Sequence, residues 1–400
     1  MSGLLKTVWS DLRVNTVGLS ASILAFLGMF LVYLFTQLPD NFPVDPGDWP
    51  FGTDLGAYVD GDARVIQHPI SGRISYFWRD ILSLFGVSET DVLGAKVPYA
   101  AMGAASFVVV AHIYAQLFGQ TRAWIFAACF GLSLMVWYYA GTPESYALTT
   151  LLYSVYTYLF LRCATDKPSY LFGAMAAGVL FLAFINDVSA PILVAMPIAY
   201  FGLRAVTDKA VRNIAIMHIG AILAGVICLS LLVNLFGEYT QMAGEYTPIQ
   251  QDEGGLAYTY GLVEPVLNYF FFSLAAPNSS LTYATAAFPD YIGFFEPSIV
   301  SYFLNPFRLL FLVVYLAPLW FLRQRKVDRV ILAMLAFVGA RFVAILLFNP
   351  GETIIYTSVV TLPLLAFVFC LIERSSFRYK TPYGLAFVVA LLGSNLAVLH

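Results

Sequence analysis

The feature that most constrains this chain is a succession of apolar runs, each about 20 residues long, the length a helix needs to cross the hydrocarbon core of a bilayer. We place eleven, with ends good to about 2–4 residues: 16–37, 97–118, 123–141, 145–162, 169–185, 188–204, 214–236, 307–322, 330–348, 353–372 and 382–399. Internal charge is confined to Arg341 in the ninth run and Arg308 at the edge of the eighth. In lipid, backbone polar groups must be satisfied within the segment, which makes helices the default. The alternation of a membrane β-barrel strand is absent from these runs. Composition agrees: 11% of the residues are charged and 60% hydrophobic, against about 25% charged in soluble domains. The expectation is an all-α polytopic membrane protein, a single unit of about 11 transmembrane helices. The first run follows MSGLLKTVWSDLRVNTVG with no small-residue cleavage site after it, so it reads as a retained anchor. Cys129, Cys163, Cys228 and Cys370 show neither metal-ligand nor disulfide-framework spacing.

The charges fix an expected orientation. With the N-terminus inside, the cytoplasmic segments collect Lys6, Arg13, Arg122, Arg162, Lys167, Arg204, Lys209, Arg212, Arg323, Arg325, Lys326, Arg329, Arg374, Arg378 and Lys380. The outer side keeps Arg64, Arg73, Arg79 and Lys96, and no lysine or arginine occurs between Arg212 and Arg308. Acidic residues show the opposite bias: only Asp11, Asp166, Asp208, Asp328 and Glu373 fall inside. The expected topology is N-in, C-out, in a multi-pass protein of a cell inner membrane or the endoplasmic reticulum. Two outer segments are long. The first, 38–96, is rich in Pro, Gly and Asp and ends in an amphipathic stretch, ISYFWRDILSLFGV, suited to the membrane interface. The second, 237–306, mixes carboxylates with many Tyr and Phe. No nucleotide-binding or nucleic-acid-binding motif is present, and chemistry is expected on the outer face.

Four groups of residues could carry that chemistry. Asp54, Tyr58, Asp60, Asp62, Arg64 and His68-Pro69 form the densest polar cluster. Its carboxylates suit a general base or a divalent cation, held if at all by Asp54, Asp60 or Asp62; a solvated acidic loop is the plainer alternative. Glu144 and Tyr146 head the fourth run, where Pro143 and Glu144 also suit a helix start on structural grounds alone. Asn186-Asp187 stands at a tight turn between the fifth and sixth runs, where such residues are common. Arg341 lies about 12 Å deep at the helical rise. It is either a grip for a lipid phosphate or one half of an ion pair with Glu352 or Asp187. Arg308 either assists it or extends to the headgroups. His112 and His218 read as packing residues.

On these residues the chain resembles the GT-C superfamily of polyprenyl-phosphate-dependent glycosyltransferases, in particular its protein O-mannosyltransferase-like members. Asp54-Leu-Gly-Ala-Tyr58, followed by His68-Pro69, resembles the family's acidic motif with its His-Pro pair. Pro143-Glu144-Ser145-Tyr146-Ala147-Leu148 resembles the Glu-x-Tyr-x-Leu signature, and Asn186-Asp187 an Asn-His pair, with Asp187 where histidine is expected. The adjacent acidic pair of many members is missing, which leaves Asp54, Asp60 and Asp62 as alternative bases. The resemblance implies inverting transfer of a sugar from a polyprenyl-phosphate donor to an outer-face acceptor. Asp54 would be the base, Arg341 with Arg308 would hold the phosphate, and Tyr58, Asp60, Asp62, His68, Glu144, Tyr146 and Asp187 would shape the pocket. The last run ends at His400, so the acceptor is expected to be read by the outer segments or a partner subunit. Two rival readings are a transporter or lipid flippase, which needs a polar path to the inner face, and a GT-C-like scaffold without chemistry.

Overall fold

The computed structural model describes residues 18–36, 69–87, 92–142, 145–165, 167–236, 263–276, 300–323, 327–348 and 355–399, and every regular element among them is helical. The longer helices are α1 (Leu19–Leu34), α2 (Pro69–Leu84), α3 (Val92–Phe118), α4 (Gln120–Gly131), α5 (Leu134–Gly141), α6 (Tyr146–Cys163) and α7 (Tyr170–Asn186). They continue with α8 (Ala195–Phe201), α9 (Lys209–Phe236), α10 (Val263–Leu267), α11 (Pro306–Leu316), α12 (Arg329–Phe348), α13 (Ser358–Arg374) and α14 (Lys380–Leu399). Each of the eleven apolar runs is therefore helical, but they are not eleven unbroken helices. Among the described residues, three stretches are long and apolar enough to cross a membrane unbroken: Leu93–Phe118, Lys209–Leu231 and Arg329–Leu347.

Proline accounts for part of the difference, because it removes a helix N–H and clashes with the preceding turn. The sixth run opens as a 3-10 turn, Ala190–Val194, at Pro191, and the eighth closes as one, Ala317–Arg323, at Pro318. The third run bends by 70° between α4 and α5. A break in a spanning helix frees backbone groups that lipid cannot satisfy, so protein must do so. Here Tyr33 donates to the Gly131 carbonyl at 3.0 Å, and the N–H groups of Leu134 and Met135 reach the carbonyls of Leu274 and Ser273 at 2.9 and 3.0 Å. Asn395 of α14 donates to the carbonyls of Leu132 and Leu274 at 2.8 and 2.9 Å and accepts from Ala276 N–H at 2.8 Å.

That arrangement assigns a structural task to part of the long segment 237–306. The described portion, 263–276, is α10 running into a wide turn, Asn268–Phe272, with Tyr269, Phe272 and Leu274–Ala276 fully buried. These residues plug the broken helix. Close crossings are set by small residues: a Cβ on Gly225 of α9 would meet the Phe184 ring of α7 at 2.4 Å, and one on Gly173 would meet Ile214 at 2.7 Å.

One end of the bundle is tied by charge. Arg122 at the start of α4 donates to Glu373 at the end of α13 at 2.6 Å, Lys380 at the start of α14 lies 3.5 Å from the same carboxylate, and Arg374 pairs with Asp328 just before α12. These helix ends, all expected on the cytoplasmic side, do share one side of the molecule. The cysteines are all unpaired thiols.

Candidate active site

Away from that charged end, a group of buried polar residues gathers around Arg341. Arg341, 1% exposed in α12, is enclosed by three neighbouring elements. Its Nη1 donates to Ser189 at 2.5 Å and more weakly to the Tyr153 hydroxyl at 3.4 Å; its Nε donates to the Tyr356 carbonyl at 3.2 Å. Its Nη2 lies 3.8 Å from the Asp187 carboxylate, and its guanidinium sits over the Tyr153 ring, 5.5 Å from the centroid. Asp187 is 7% exposed and accepts from Tyr153 at 2.9 Å and from the Ser189 hydroxyl and N–H at 2.6 and 2.9 Å. A buried carboxylate and guanidinium are tolerated together when their remaining lone pairs and protons are bonded, as these are. Tyr269 lies against the same helix, its hydroxyl donating to the Val338 carbonyl at 2.9 Å, and the Tyr146 ring meets that of Tyr356, centroids 5.9 Å apart.

Local sequence explains the convergence. Helix α7 ends at Asn186, Asp187 is extended (φ −143°, ψ 110°), and the chain turns at once into the 3-10 segment, so residues 186–189 project polar groups into the bundle. On α6, Tyr146, Thr149 and Tyr153 recur at i, i+3 and i+7, which places them on one helix face. Thr149 accepts from the Asn186 amide at 3.1 Å, and the other end of that amide accepts from the Ser71 N–H of α2 at 3.0 Å.

Arg308, in the first turn of α11, is buried, 7% exposed. Asn305 caps this helix, accepting from the N–H groups of Phe307 and Arg308 at 2.9 and 3.3 Å. The guanidinium interacts electrostatically with Tyr302, whose hydroxyl donates to the Ala275 carbonyl at 2.5 Å. Its Nε is buried and, among the described residues, has no hydrogen-bond partner. The 263–276 segment thus touches the surroundings of both arginines, through Tyr269 at Arg341 and Ala275 at Tyr302.

Of the residues singled out in the sequence, Arg341, Asp187 and Tyr146 come together, and Arg308 lies at the far side of the 263–276 segment. Asp54, Tyr58, Asp60, Asp62, His68 and Glu144 lie outside the described residues. Pro69, which follows His68, is the first residue of α2, where its missing N–H costs nothing. Among the described residues no group of His, Cys, Asp or Glu is arranged for a metal. Sequence reasoning passed over Tyr153 and Ser189; the polar stripe Tyr146, Thr149, Tyr153 was the available signal for the first, and nothing local marks the second. His112 and His218 are engaged within the bundle. His112 meets Ser22 at 3.4 Å, and His218 shares a 2.8 Å hydrogen bond with the carbonyl of Ile214, one turn back.

No protein-family model matches the chain, and no curated protein sequence matches it. Two solved structures are similar: crystal structures of ArnT from Cupriavidus metallidurans, one bound to undecaprenyl phosphate and one in the apo state. Both align with a TM-score of 0.54 at 14% identity, over 92% and 91% of this chain. The chain spans 62% of the length of the ArnT chains. A likeness at that identity is one of fold. The described residues are all helical, with apolar stretches suited to a membrane, and the chain shares the fold of these ArnT structures.

Proposed function

We propose that this chain is a membrane glycosyltransferase that moves a sugar from a polyprenyl-phosphate donor to an acceptor on the extracytoplasmic or lumenal face. The observation that carries the reading is the fold shared, over 92% of the chain, with a protein crystallised with undecaprenyl phosphate. The topology is eleven crossings, N-in and C-out; the clustering of Arg122, Glu373, Lys380, Arg374 and Asp328 at one end supports it. Asp54 takes the proton of the acceptor hydroxyl. The freed oxygen attacks the anomeric carbon from the side opposite the phosphate, the sugar–phosphate bond breaks, and polyprenyl phosphate leaves with inversion at carbon. Asp60 and Asp62 are the alternative bases, and Tyr58, His68, Glu144 and Tyr146 shape the sugar pocket.

The leaving phosphate gathers charge, and a buried cation fixed in advance stabilises it without reorganisation. Arg308 suits direct contact, because its buried Nε has no hydrogen-bond partner among the described residues. Arg341, already bonded to Ser189 and paired with Asp187, supplies a fixed wall of the same site. A transporter would need polar groups continuing to the inner face; the engagement of His112 and His218 inside the bundle favours the transferase. The test is reconstitution of the purified chain in liposomes with undecaprenyl-phosphate sugars. Wild type is expected to transfer sugar, and Asp54→Asn to lose at least about a hundredfold of that rate while staying folded. Full activity in the variant would remove Asp54 from its role. Failure of wild type to bind undecaprenyl phosphate would remove the donor, and binding without transfer from any donor would leave the scaffold reading.

A further inference from the structure

We propose that Asn186 is a positioning residue of the transfer site, setting the amphipathic helix α2 against the elements that hold Arg341; the proposal rests on the transferase reading above. Asn186 is fully buried, and its amide is used from both ends. The oxygen accepts from Ser71 N–H at 3.0 Å, and the nitrogen donates to Thr149 Oγ1 at 3.1 Å. Ser71 lies in the first turn of α2, where N–H groups have no partner within their own helix. Asn186 therefore caps α2 from a different helix, 115 residues away in sequence. Thr149 lies in the first turn of α6 and itself donates to the Ser145 carbonyl at 3.5 Å.

The connection continues on the other side of Ser71. The Ser71 carbonyl accepts from the Ser75 hydroxyl at 3.0 Å, and Ser75 is hydrogen-bonded to the Tyr99 hydroxyl of α3. A buried polar track thus runs from α3 through α2 to the end of α7 and on to α6. Its neighbour in sequence, Asp187, holds Arg341 of α12. Two adjacent residues at one helix end thereby fix three helix starts or faces in register: α2 and α6 through Asn186, and α12 through Asp187. Aspartate could cap α2 but has no donor for Thr149 Oγ1, and serine would have to serve both partners from a single short-reaching oxygen. Asparagine alone among the small side chains offers both an acceptor and a donor in one rigid plane. A buried amide is an expensive choice if stability is the only purpose, since an apolar contact would fill the space without a polar group to satisfy.

The experiment uses the full chain in liposomes with the undecaprenyl-phosphate sugar that wild type transfers, and compares Asn186→Ala, Thr149→Val and Thr149→Ser. Displacement of a positioned element by about 1 Å costs on the order of a hundredfold in rate. Asn186→Ala is expected to lower kcat by about 10- to 100-fold with donor KM changed by less than about threefold. Thr149→Val is expected to lower kcat by about 3- to 10-fold, and Thr149→Ser, which keeps the acceptor oxygen, to stay within about twofold of wild type. If Asn186→Ala does not fold, the two Thr149 variants carry the comparison. Amide hydrogen exchange gives a readout that needs no substrate: exchange at Ser71 should speed up in Asn186→Ala or Thr149→Val while α9 is unchanged. The proposal is overturned if kcat in folded Asn186→Ala and Thr149→Val stays within about twofold of wild type. It is equally overturned if Thr149→Ser behaves as Thr149→Val, or if exchange at Ser71 does not change. Absence of transfer by wild type would instead sink the transferase reading, and hydrogen exchange would still decide the geometry claimed for Asn186.

Discussion

Two arginines are buried in this bundle, and they differ in what meets them. Arg341 is 1% exposed, bonded to Ser189 and to the Tyr356 carbonyl, and paired with Asp187. Arg308 is 7% exposed, has Tyr302 as its electrostatic neighbour, and leaves a buried N–H without a partner among the described residues. Burial of either charge is costly, but the cost is offset differently. At Arg341 the protein supplies the counter-charge, so the residue contributes to architecture. At Arg308 the cost is carried by the fold, and a bound phosphate would offset it. Depth in the membrane alone would have ranked Arg341 first as the phosphate contact; the hydrogen bonds favour Arg308.

The comparison can be broken most decisively at Arg341. Arg341→Met leaves Asp187 buried without its cation, and loss of one partner of a buried pair costs about 3–5 kcal/mol. A large drop in Tm or in yield of folded protein is expected; an unchanged Tm would show that Arg341 is not architectural. Arg308→Gln is expected to do the reverse. Its Tm should hold or rise, because a buried charge without a counter-charge is costly, while undecaprenyl phosphate binding weakens by about 1.5–3 kcal/mol, the worth of a hydrogen bond to a charged group. A lipid-binding measurement on folded protein separates the two, and equal affinity for wild type and variant would remove Arg308 from the site.

Tyr153→Phe sharpens the Arg341 half of the comparison. It deletes the hydroxyl that donates to Asp187 at 2.9 Å and keeps the ring under the guanidinium. A loss of about 1–2 kcal/mol in stability is expected, with lipid binding unaltered. The smallest effect belongs to the opposite end of the bundle. Lys380→Met removes a partly exposed partner of Glu373, which keeps Arg122, and should cost about 1 kcal/mol or less. A larger loss there would mean that the charged end, rather than the Asp187–Arg341 pair, holds the bundle together.

The helical membrane architecture was legible because its physics is local. A run of about 20 apolar residues must be helical in lipid wherever it occurs. The positions of Arg341 and of Asn186-Asp187 were legible for the same reason, as polar residues where lipid or a tight turn surrounds them. Partnership was not. The sequence allowed Arg341 either Glu352 or Asp187 as a partner; Asp187 proves to lie beside it, and Glu352 lies outside the described residues. The bend at Leu132–Ser133 carries no proline, and the residues that satisfy it come from Tyr33, Ser273, Leu274 and Asn395, scattered along the chain.

By itself the sequence determined that this protein lives in a membrane and that it is helical, and it set the expectation that its charges divide between two sides. Those properties follow from hydropathy and charge, which each segment carries alone. Only the tertiary structure decided that Asp187 pairs with Arg341, that the Arg308 Nε is buried without a hydrogen-bond partner among the described residues, and that Asn186 joins α2 to α6. Hydrogen bonds are set by distances of a few tenths of an ångström between segments far apart in the chain, and such distances exist only after the helices have packed.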